Sequence, residues 1–124
     1  MARLSSRAFL LVPLLAAGVV LSSCGDGGAV SDARLSCKSV RAALSLQKQS
    51  EQPGITSPER SRLQARAMSE ILKATQPAAN ATSLDGSWNP LMTTINEAER
   101  VPLANLVPAL TRLCRVADSS TPYL

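Results

Sequence analysis

Apolar residues that recur at threes and fours, in runs cut apart by proline, constrain this chain more than any other feature. The last run is the cleanest: Leu103, Leu106, Val107, Leu110, Leu113, Cys114 and Ala117 fall on one side of a helix. Ala33, Cys37, Val40 and Leu44 form a similar stripe much earlier. Each stripe carries a cysteine, so both thiols are expected to face a core. No segment alternates with the period of two that a half-buried strand shows. The expected fold is all-α: a small up-down bundle of four helices, or of three helices and a short turn. Short connections make consecutive helices antiparallel in such a bundle.

Caps and breakers set the expected boundaries. Gly25 to Val30 is glycine-rich and reads as a flexible tether, placed with Cys24 in residues 24–31. A helical domain then spans 32–118. Its first helix begins at Ser31 or Asp32 and runs to about Gln49, before Pro53-Gly54. Ser57-Pro58-Glu59 opens a second helix, with serine as cap and proline in the first turn. Leu63, Ala67, Met68, Ile71, Leu72 and Ala74 form its apolar side, Arg66 and Glu70 pair in solvent, and Pro77 ends it. Residues 76–90 read as irregular. Asn89 caps a third helix carrying Leu91, Met92, Ile95 and Ala98, and Pro102 ends that one. Pro108 is tolerated if Asn105 caps the fourth helix, and otherwise kinks it. Residues 119–124 form a tail.

Residues 1–23 have the layout of a secretory signal peptide. Arg3 and Arg7 precede an apolar run, Ala8 to Leu21, and small residues lead to Cys24. The run is shorter than the roughly 20 residues of a membrane span, and Pro13 interrupts it. Leu21-Ser22-Ser23-Cys24 resembles the lipobox of bacterial lipoproteins, with Ser23 where glycine or alanine is commoner. The resemblance implies that Cys24 is acylated, that cleavage falls just before it, and that the mature chain is held on the outer face of the cell membrane. One acyl chain gives marginal attachment, whereas two or three anchor durably. The remainder is similar in plan to small actinobacterial lipoproteins, a likeness of layout that implies no substrate.

With Cys24 set aside, Cys37 and Cys114 remain as a pair in an exported chain, and a disulfide is the expected pairing, two buried thiols the alternative. It would close a loop of nearly 80 residues, for which chain entropy gives about 4 kcal/mol. That is a large contribution for a mature chain of about 100 residues, which has room for one modest core. The core must be aliphatic, because the mature part has only Trp88 and Tyr123 as aromatics.

Chemistry-bearing constellations are scarce. The chain has no histidine, which removes the commonest general base and metal ligand. Glu97 and Glu99 lie on different sides of a helix and cannot cooperate in acid-base work. No phosphate-binding loop is present. These readings point away from an enzyme and from any cofactor or metal. Removing Arg3 and Arg7 leaves eleven Lys and Arg against nine Asp and Glu, which is not a nucleic-acid-binding balance.

Two surfaces of the first helix are candidates for contact. Leu35, Ala42 and Leu46 lie nearly opposite the core stripe, and either bury against a neighbour or form a partner-binding strip with Trp88. Trp88 either anchors a partner or plugs the end of the bundle. Arg34, Lys38, Arg41 and Lys48 form a basic row, either solvated or in contact with anionic lipid headgroups or wall polymers. The expected function is a lipid-anchored, non-catalytic binding module. The alternatives are a structural envelope-associated protein and an accessory subunit of a membrane complex.

Overall fold

The computed structural model describes residues 26–120; the signal segment, Cys24 and Tyr123 lie outside it. Four helices follow one another: α1 (Asp26–Ser50), α2 (Ser57–Leu84), α3 (Asn89–Glu97) and α4 (Leu103–Ser119). A single 3-10 turn, Gly86–Trp88, links α2 to α3. No strand occurs among the described residues. α1 packs along α2 and against α4, while α3 closes the ring between α2 and α4.

Helices α1 and α2 form an antiparallel hairpin in continuous register. Gly28 backs onto Leu84, Ser36 bonds to Ala74, and Ser50 bonds to Arg60. Each step forward along α1 is matched by a step back along α2. The buried face of α1 reads Ala29, Ala33, Ser36, Val40, Ala43, Gln47 and Ser50, strictly alternating spacings of four and three. On α2 the matching seam is Ala67, Ile71, Ala74, Ala78 and Ala81. Register places Ala29 level with Ala81, Ala33 with Ala78 and Ala43 with Ala67. Side chains this short let the two backbones approach closely and fill the seam without voids.

This seam explains two departures from the sequence reading. Residues 26–31 do not form a tether but the first turns of α1, with Ala29 and Val30 buried. Pro77 does not end α2, which continues to Leu84. A proline inside a helix costs about 3 kcal/mol because it removes one N–H donor and crowds the carbonyl four residues back. Burial of Ala78 and Ala81 against the opening turns of α1 offsets that cost. The two extensions lie level with each other, so each provides the surface on which the other folds.

The caps are also shifted. Thr56, not Ser57, caps α2, its hydroxyl accepting from the Glu59 N–H at 3.3 Å. Pro58 then falls at the second helical position. Gly54 has φ +81°, the left-handed conformation demanded by the third position of a turn whose second residue is Pro53. Asp85 ends α2 and caps the following turn by accepting from the Ser87 N–H at 3.0 Å. The Ser87 N–H, and then its hydroxyl, hold the Asp85 carboxyl below its ordinary value of 3.8. Asn89 is the first residue of α3 and not its side-chain cap. Pro102 stands at the cap position of α4, so Pro108 lies within that helix and Asn105 in its first turn.

The disulfide joins Cys37 to Cys114, across 77 residues of sequence, with Cα atoms 5.4 Å apart. Both cysteines are buried, and Leu91, Ile95 and Leu110 fill the space between α3 and α4. Among the described residues no helix is long and apolar enough to cross a membrane.

Candidate functional site

The basic row of α1 lies beside the end of α4, because Cys37 and Cys114 pin the two helices together between Arg34 and Arg41. The last carbonyls of any helix lack donors within it and carry the negative end of its dipole. The Arg34 guanidinium from α1 supplies what the end of α4 lacks, and that of Arg41 braces the turn before it. Arg34 Nε donates to the Ala117 carbonyl at 3.0 Å, and its Nη2 donates to the Ser120 carbonyl at 2.6 Å. Arg41 Nη2 donates to the Cys114 carbonyl at 3.5 Å and pairs with the Asp118 carboxylate. Sequence reading placed these arginines on one row but not against α4, since the cap is formed by a helix some 80 residues away.

Lys38 and Lys48, the other members of the row, are exposed and have no ion-pair partner among the described residues. Between α1 and α4 runs a surface groove in two joined parts. One, of about 320 Å³, is lined by Arg41, Leu44, Thr111, Cys114, Arg115 and Asp118. The second, of about 370 Å³, continues from Leu44 and Thr111 past Val107 to Lys48 and Glu51. Leu44 and Val107 are its apolar floor, and its rim carries Arg41, Lys48 and Arg115 against Asp118 and Glu51. Arg115 completes that rim from the α4 side, a contribution the sequence reading missed. The cue was present in the spacing of Arg115 one residue after Cys114, which sets it on the border of the buried face.

The proposed partner strip is divided by the fold. Leu35 is 55% exposed, Leu46 is half-buried and rests on the core, and Trp88 is 7% exposed. Trp88 sits where the 3-10 turn crosses from α2 to α3, closing one end of the core. Its indole N–H has no hydrogen-bond partner among the described residues. Leu72, expected on the apolar side of α2, is 57% exposed. The expected Arg66–Glu70 pair is replaced by Glu70 with Lys73, at 2.7 Å.

Cys37 and Cys114 are consumed in their bond, and Glu97 pairs with Arg100. Among the described residues no cluster of His, Cys, Asp and Glu has the grouping of a metal site. The groove offers hydrophobic contact and positive charge, a combination suited to recognition. Cys24 lies outside the described residues. Comparison with family models, with curated proteins and with solved structures finds no match.

Proposed function

We propose that this chain is an extracytoplasmic lipoprotein, anchored through acylated Cys24, whose helical domain is a non-catalytic binding module. The observation that carries the reading is Leu21-Ser22-Ser23-Cys24 at the end of a short apolar run behind Arg3 and Arg7. The buried Cys37–Cys114 bond supports it, since such bonds persist in oxidising compartments outside the cytoplasm. Leu35, left exposed on α1, offers one point of contact and the groove between α1 and α4 another.

Intact mass of the membrane-extracted protein tests the anchor. The expected product begins at residue 24, is heavier by its acyl groups and lighter by two hydrogens. Cys24→Ala is expected to release the chain from the membrane fraction. Equal retention of that variant would refute the anchor.

A further inference from the structure

We propose that the face shared by α1 and α4 lies against the anionic headgroups of the membrane that holds the anchor, so that the domain lies flat on the lipid surface. The inference rests on the lipid-anchored reading and goes beyond it by assigning an orientation and a surface. Arg34, Lys38, Arg41, Lys48 and Arg115 occupy this face, with Asp118 and Glu51 as the acids beside the groove. From residue 26 onward the rest of the chain carries six cations and seven acids. A chain with only a small overall charge thus concentrates its excess on one side. The hydrogen bonds of Arg34 end on backbone carbonyls, not on a carboxylate, so no ion pair cancels its full charge.

The second observation is the distance to the anchor. α1 begins at Asp26, two residues after Cys24. At about 3.5 Å per residue the intervening chain reaches only about 7 Å. The opening turn of α1 is thereby held at the headgroup level, and the domain can only stand on that end or lie on one side. Around that end stand Asp32 and Asp85, and its nearest cations, Arg34 and Arg115, belong to the α1 and α4 side, so the end has no positive excess of its own to rest on anionic lipid. The α1 and α4 side has one, extending from Arg34 to Lys48. Each Lys or Arg near an anionic surface contributes enough to raise partitioning several-fold.

The test separates this surface from the anchor by using an unacylated chain that starts at Gly25. Such a chain keeps the disulfide and the buried residues from Ala29 to Ala117, so the tested part contains its whole core. Co-sedimentation is measured with vesicles of equal parts phosphatidylglycerol and phosphatidylcholine, and with pure phosphatidylcholine. Binding is expected only to the anionic vesicles, weakening as salt rises. The double substitution Lys38→Gln and Lys48→Gln is expected to lower it about 30-fold, with an unchanged circular dichroism spectrum. Equal partition into both vesicle types, or no loss in the double variant, overturns the proposal. So does a parent chain that forms a dimer without vesicles and becomes monomeric on the same substitutions, which would assign the face to a second copy. Failure of vesicle binding with Cys24 acylated in cells leaves the anchor standing and removes only the orientation.

Discussion

Ser36 is fully buried on the seam between α1 and α2, with Ala33 and Val40 as its neighbours on the buried face. Its hydroxyl donates to the Ala74 carbonyl at 2.9 Å, across the α1 and α2 interface. That carbonyl lies one residue beyond Lys73, whose own carbonyl loses its helical donor at Pro77. The bond therefore ties α1 to the stretch of α2 where the ladder is weakest. Ser36→Ala fits the space and loses the bond, and a cost of about 1 kcal/mol is expected, read as a melting temperature lower by roughly 4 to 8 °C. An unchanged melting temperature would show that the contact is incidental. Ser36 was invisible beforehand because serine in a helix usually faces solvent; only the neighbouring helix makes position 36 an interior one. Arg34 and Arg41 were legible as a row, but not as the cap of α4 and the partner of Asp118.

At the scale of elements, the hairpin of α1 and α2 decides most of the architecture. Alanine at 29, 33 and 43 on one helix meets alanine at 81, 78 and 67 on the other, and this contact carries α2 through Pro77. Ala78→Leu would force three more heavy atoms into a seam occupied by Ala33, and a loss of about 3 kcal/mol is expected from chemical denaturation. Gln76→Leu, on the exposed side of the same turn, is expected to change stability by less than about 0.5 kcal/mol. Equal effects of the two substitutions would mean that the hairpin is not closely packed there. The sequence reading placed all four helices and the inward stripes of α3 and α4. It stopped α2 at Pro77 and started α1 after the glycines because both residues are local breakers, and the burial that overrides them comes from a partner helix.

For the whole molecule, the Cys37–Cys114 bond ties the first helix to the last around a core of modest aliphatic side chains. Replacing both cysteines by alanine is expected to cost about 4 kcal/mol, lowering the melting temperature by on the order of 20 °C. A small change would show that helix packing alone sets the unfolded-state balance. The bond also holds the basic row of α1 next to Arg115 of α4, so the cationic rim of the groove depends on the same linkage. Residue order alone determined the helical class and the inward stripes and pointed to the cysteine pair, because helical period and turn chemistry are local and both thiols fall on core-facing stripes. Only the tertiary structure decided how far α1 and α2 extend, which leucines stay in solvent, and that Arg34 caps α4 while Arg41 pairs with Asp118. Those outcomes depend on which surfaces meet, and burial against a distant helix can outweigh the conformational preference of a single proline or glycine.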